Sequence, residues 1–160
     1  MIKYMLDTNA IDKAMASGKA NTIGKRNDVQ ICITAEQAEE ICRIPDKKID
    51  GTDGVERRVR LLITLFQLRA LMLPTAAVVG HARLGTCILG DSQMDSTLNA
   101  INDHMPPKSK GHDNIVDSMI AEAAIREGCI LVTEDAGLYN AMKSLNKHVL
   151  KWDEFMVQVS

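Results

Sequence analysis

The chain opens on an alternation in which Ile2, Tyr4 and Leu6 stand two apart with Lys3 and Met5 between them, the period of a strand. That strand runs into a carboxylate, Asp7, and then into Thr8 and Asn9, which mark a turn. A short helix is expected over residues 10–16, ended by Gly18, and then a polar loop over 19–28 carrying Lys19, Lys25 and Arg26. Val29, Ile31 and Ile33 repeat the two-residue period and predict a second strand stopping at Thr34. The Thr34 hydroxyl suits the N-cap of a helix over 36–44, which Pro45 ends.

Residues 55–73 predict one long helix. Val55, Val59, Leu62 and Phe66 share a face, while Glu56, Arg60, Thr64 and Gln67 share another. Leu61, Leu65 and Leu68 widen the apolar arc past half the circumference, so this helix needs either deep burial or a partner chain. Pro74 breaks it, and residues 76–89 read as a second, small-residue helix. Together the two predict a homodimer or a protein complex through this region. A weakly amphipathic helix over 91–103, with Met94, Leu98 and Ile101 inward, leads to the loop MPPKSKGHDN.

The pattern then sharpens. Val116, Met119, Ile120, Ala123 and Ala124 define a helix ending at Gly128, and residues 129–133 form a short buried-type strand followed at once by Glu134 and Asp135. A helix over 137–145, a strand at Val149 and Leu150, and a terminal helix capped by Asp153 complete the chain. Strands alternating with helices predict an α/β fold, a three-layer α/β/α sandwich around a small parallel sheet. With 160 residues and 46% hydrophobic content, residues 1–160 are read as one domain.

Composition narrows the function classes. A net charge of −2 gives the whole molecule no strong attraction for polyanions, so any nucleic-acid contact needs a local basic patch. Cys32, Cys42, Cys87 and Cys129 form no CxxC pair and have no histidine at zinc-finger spacing, which reads as free thiols in a reducing compartment. The start has no basic-then-apolar leader, and the apolar run over 61–79 is interrupted by Gln67, Arg69 and Pro74, so a cytoplasmic protein with no membrane span is expected. His81, His104, His112 and His148 are scattered and read as surface residues.

The acids carry the candidate chemistry. Asp7 follows the first strand, Asp135 follows the 129–133 strand, and Asp117 lies in the first turns of the helix before it. Glu36, Glu39 and Glu40 compete for a fourth place on the helix after Thr34. Parallel neighbouring strands deliver Asp7 and Asp135 to one edge of the sheet, where ligands collect in open α/β folds. Two bare charges ~4 Å apart repel by about 4 kcal/mol at an effective dielectric of ~20, so such a cluster calls for a divalent cation. All-oxygen donors favour Mg²⁺ or Mn²⁺, and such ions promote phosphodiester hydrolysis.

The segments LDTNAI, TAEQAEEI, DSMIAEAAIREGCILVTED and LKWDEF together resemble a PIN domain of the kind found in VapC-type toxins. The resemblance covers both ends of the chain, about half its length, while 47–54 and 85–112 depart from the family's pattern. It implies a Mg²⁺- or Mn²⁺-dependent endoribonuclease, the toxin of a toxin–antitoxin pair, with RNA as substrate and an antitoxin protein as partner. By it, Asp7, Asp117 and Asp135 match the family's metal-binding acids, with Asn9 or Thr133 orienting them. Glu40 is preferred as the fourth, because it precedes Ile41 as the family's acid commonly precedes an apolar residue; Glu39 and then Glu36 stay open. Asp113 reads as an N-cap or a supporting group, and Lys19, Lys25 and Arg26 as contacts to RNA phosphates.

Two other classes compete with this reading. A catalytically inactive RNA- or protein-binding module keeps the fold without turnover. A haloacid dehalogenase-like phosphatase also starts with a strand ending in Asp, but it needs a second Asp two residues on, where Asn9 stands.

Overall fold

In the first strand, β1 (Ile2–Leu6), the consecutive residues Tyr4, Met5 and Leu6 are all buried, although a strand points them to alternate faces. Helices on both sides of the sheet are the reason. The computed structural model describes residues 1–46, 53–78, 86–107 and 114–159. Its main sheet has five parallel strands: β1, β2 (Val29–Thr34), β3 (Leu71–Leu73), β6 (Ile130–Val132) and β7 (Val149–Leu150), in the order β3-β2-β1-β6-β7. Tyr4 stands opposite Ile31 on one side and Ile130 on the other, so β1 is central.

On one face, Tyr4, Leu6, Ile31, Ile33 and Val132 meet α1 (Thr8–Ser17), α2 (Ala20–Gly24), α3 (Ala35–Cys42), α4 (Gly54–Gln67) and α8 (Trp152–Val159). On the other, Met5, Cys32, Leu73, Leu131 and Val149 meet α5 (Ser92–His104), α6 (Ile115–Arg126) and α7 (Ala136–Ser144). The three-layer α/β/α expectation therefore holds. Ala121, Ala123 and Ala124 are fully buried, and their small side chains let α6 lie close on the sheet. Left-handed Gly18 and Gly128 close the turns after α1 and α6, where a residue with a Cβ would be strained.

The structure corrects four expectations. The loop expected over 19–28 contains α2, because Ala20 and Ile23 are apolar enough to be buried against α4 and β2. The helix expected over 55–73 stops at Gln67. Arg69 takes a left-handed conformation, with its amide bonded to the Phe66 carbonyl and that of Ala70 to the Leu65 carbonyl. Leu71–Leu73 then pairs with Cys32, Ile33 and Thr34 as strand β3, since an open sheet edge outbids helical periodicity for three apolar residues. Where a helix was expected over 76–89, the two short strands β4 (Thr75–Ala76) and β5 (Cys87–Ile88) pair in parallel, and residues 79–85 lie outside the described residues. Asp153 lies inside the first turn of α8 instead of capping it; at that end the Lys151 amide donates to Glu154.

The remaining helices follow the expectation to within a residue or two. Along α4, Leu61, Thr64, Leu65 and Leu68 turn inward while Val55, Val59, Leu62, Ile63 and Phe66 face solvent, Phe66 at 84% exposure. Among the described residues no helix is long and apolar enough to cross a membrane.

Candidate active site

From β1 the chain winds through β2 to β3 in one direction, whereas β6 and β7 lie on the other side, so the order reverses between β1 and β6. A crevice opens outside the carboxyl ends of strands at such a reversal. Asp7 leaves β1 there and Asp135 follows β6 by three residues. The helix α6 runs back across the sheet to reach β6, which returns its first turn, with Asp117, to the same edge.

Asp7 is 6% exposed and doubly engaged. Its Oδ1 accepts the Ala10 amide at 2.8 Å, capping α1, and its Oδ2 accepts the Thr133 hydroxyl. Asp7 therefore caps a helix and also belongs to the acidic group. Burial pushes its carboxyl up to about 6; the Thr133 and Ala10 hydrogen bonds pull the other way, while the charges of Asp117 and Asp135 raise it further. The charges of Asp117 and Asp135 thus reach Asp7. Thr133 is fully buried and its hydroxyl also accepts the Asp135 amide at 3.0 Å. Asp135 in turn caps α7 through Leu138 at 2.8 Å.

The three glutamates of α3 go separate ways. Glu40 accepts the Thr8 hydroxyl at 2.6 Å, one residue from Asp7. Glu39 pairs with Arg43. Glu36 accepts the Thr75 hydroxyl at 2.8 Å, and its other oxygen is buried without a hydrogen-bond partner among the described residues. What sets α3 against the end of β1 is Gln37, which the sequence reading passed over. Its amide donates to the Leu6 carbonyl and its Oε1 accepts the Thr34 amide at 2.7 Å. The signal was present as a capping box, Thr34 with Gln37 three residues later.

Asn9 lines a polar cleft of about 730 Å³ together with Asp12, Lys13, Ala16, Glu134, Asp135 and Ala136. Asp12 is ion-paired to Arg57 of α4 at 2.7 Å, and Lys13 lines the same cleft. The expected phosphate contacts do not gather there. Arg26 pairs with Asp28 at 2.7 Å, and the Asp28 carbonyl takes the Ile2 amide at the opposite, amino end of β1. Lys19 follows a ten-residue helix that leads away from Asp7 by ~15 Å, and Lys25 is an exposed residue at the end of α2. Asp113 and His112 lie outside the described residues.

Hard, anionic oxygens repelling one another in a crevice suit Mg²⁺ or Mn²⁺ by donor chemistry. Among the described residues, however, no three His, Cys, Asp or Glu side chains are gathered closely enough to hold an ion by themselves. Mg²⁺ sites in general take one or two protein carboxylates and complete the shell with water and substrate phosphate.

The fold is PIN-like. No family model and no curated protein matches this chain in sequence. Solved structures match in shape: PAE2754 from Pyrobaculum aerophilum, at TM-score 0.57 and 17% identity, covers 99% of this chain and 89% of its own. VapBC-1 from nontypeable Haemophilus influenzae, at TM-score 0.54 and 15% identity, covers 95% of this chain and 99% of its own. A PilT N-terminus domain protein from Sulfolobus solfataricus P2 is a looser match, at TM-score 0.46 and 14% identity over 99% of this chain and 93% of its own.

Proposed function

We propose that this protein is a metal-dependent endoribonuclease that hydrolyses RNA phosphodiester bonds at the crevice between β1 and β6. The observation that supports the reading is the place of buried Asp7 at the carboxyl end of β1, beside the strand-order reversal, with Asp117 and Asp135 near enough for their charges to act on it. Asp7, Asp117 and Asp135 would hold Mg²⁺ or Mn²⁺, with Glu40 reaching the group through Thr8. What a bound ion supplies is positive charge against the phosphate oxygens and a more acidic water. Thr133 holds the Asp7 carboxylate on one side and the Asp135 backbone on the other, so the two acids keep their spacing. Burial of Asp7 keeps bulk water from screening these charges.

A toxin role with an antitoxin partner is part of the proposal. It draws support from the PIN-like fold shared with VapBC-1 and from the apolar stripe of Val55, Val59, Leu62, Ile63 and Phe66 on α4. A second reading, a PIN-like binding module without turnover, draws support from the capping roles of Asp7 and Asp135, whose carboxylates accept the Ala10 and Leu138 amides. Incubation with single-stranded RNA decides between them. Cleavage with Mn²⁺ or Mg²⁺ that EDTA stops, with no phosphate released from small phosphomonoesters, is the expected result; binding without cleavage at any metal concentration selects the second reading.

A further inference from the structure

On α7, Tyr139 stands one turn beyond Asp135, and its amide bonds to the Asp135 carbonyl at 3.0 Å. Two ammonium groups converge on its ring: Lys143 Nζ at 5.4 Å from the centroid, one helical turn further on, and Lys151 Nζ at 4.6 Å, from the residue that follows β7. Because β7 is parallel to β6, Lys151 emerges at the same sheet edge as Asp135. Both distances are within cation–π range, so the ring restrains two otherwise flexible side chains. Among the described residues neither ammonium is ion-paired. Two carboxylates lie near Lys151 in the chain or the fold without pairing with its ammonium: Glu134 accepts the Trp152 amide and Glu154 accepts the Lys151 backbone amide. Past Lys143 the surface opens into a hollow of about 370 Å³ along the outer strand β7, where Lys147 adds a further positive charge.

We propose that Lys143 and Lys151, held by the Tyr139 ring, form a phosphate clamp that grips the RNA backbone beside the acidic crevice and leads the strand out along β7. This rests on the ribonuclease reading and names the part of the site that takes the substrate's charge. In a chain whose net charge is −2, affinity for a polyanion has to come from a local cluster of this kind. Tyr139 is a positioning residue, and the grip reads phosphate without regard to base.

The test measures binding of a fluorescein-labelled, single-stranded RNA oligonucleotide in EDTA, where no metal-dependent cleavage occurs, alongside cleavage with Mn²⁺. Lys143→Gln and Lys151→Gln should each weaken binding and reduce the slope of log affinity against log salt by about 0.7, and the pair by about 1.4. Tyr139→Leu should weaken binding with the salt slope nearly unchanged, and Tyr139→Phe, which keeps the ring face, should bind like the wild type. Melting curves verify that each variant is folded. A double lysine variant with wild-type affinity and slope overturns the clamp, and if the wild type still cleaves RNA the ribonuclease reading survives. Lysine-dependent binding without cleavage keeps the clamp and overturns the ribonuclease. A wild type that neither binds nor cleaves RNA overturns both.

Discussion

The hydroxyl of Thr133 donates to the carboxylate of Asp7 across the boundary between β6 and β1 while accepting the backbone amide of Asp135. One buried side chain therefore sets the spacing of two acids that come from opposite ends of the sequence. It also favours ionised Asp7 against burial and two neighbouring negative charges. Removing it with Thr133→Val should raise the Asp7 carboxyl further above 6. We expect the acid limb of any cleavage activity to move to higher pH, and a pH–rate profile superimposable on wild type would count against this role.

Asp7 should make the metal-free fold less stable as pH rises. Its folded value, about 6, lies above the ordinary value of 3.8 that applies when unfolded. Between those pH values the folded chain binds more protons than the unfolded chain, so stability falls with rising pH and levels off above about 6. A shift of this size corresponds to about 3 kcal/mol. In metal-free buffer at pH 7.5, Asp7→Asn should melt above the wild type, with the gap closing near pH 4; a constant gap across that range would sink the idea.

Divalent ions should reverse that deficit. At fixed ionic strength and pH 7.5, Mn²⁺ or Mg²⁺ should raise the melting temperature of the wild type by mass action on the folded form. Asp7→Asn and Asp117→Asn should lose most of the increment. Equal effects from MgCl₂ and from NaCl at matched ionic strength would leave only screening.

Activity and stability should separate at the acids. Asp117→Asn and Asp135→Asn should abolish metal-dependent cleavage, whereas Glu36→Gln should retain more of it than Glu40→Gln, because Glu36 bonds Thr75 and Glu40 bonds Thr8 beside Asp7. Asp135→Ala also loses the cap on α7, a cost of ~1 kcal/mol, or roughly 2–4 °C in melting temperature for a chain of this length. Full activity in the Asn variants would remove these residues from the site.

The outward stripe of α4 should join two chains or hold another protein. Phe66 is 84% exposed with Val59, Leu62 and Ile63 beside it, a patch that a lone domain seldom leaves in water. We expect a dimer by light scattering and a shift toward monomer in Val59→Ser/Phe66→Ser. A wild type that stays monomeric at high concentration would exclude self-association through this face.

Local pattern sufficed wherever one period ruled a segment. The alternation over Ile2–Leu6 and Val29–Thr34, the small-residue helix before Gly128 and the short strand after it appear close to where pattern put them. Asp7, Asp117 and Asp135 could also be assigned to one edge, because parallel neighbours present their carboxyl ends together and α6 crosses back between them.

Only contacts between distant segments decided the rest. Leu71, Met72 and Leu73 continue a helical apolar pattern, yet the free edge of β2 claims them as β3, and no glycine or proline marks the left-handed turn at Arg69. Lys19, Lys25 and Arg26 follow Asp7 closely in sequence, but α1 carries the chain to the far end of the sheet before they occur. Glu36, Glu39 and Glu40 are indistinguishable by type, and which of them meets Thr8 depends on Gln37 fastening α3 to the end of β1. Periodicity reports which face a residue takes on its own element; which element that face meets is settled by packing across the whole sheet.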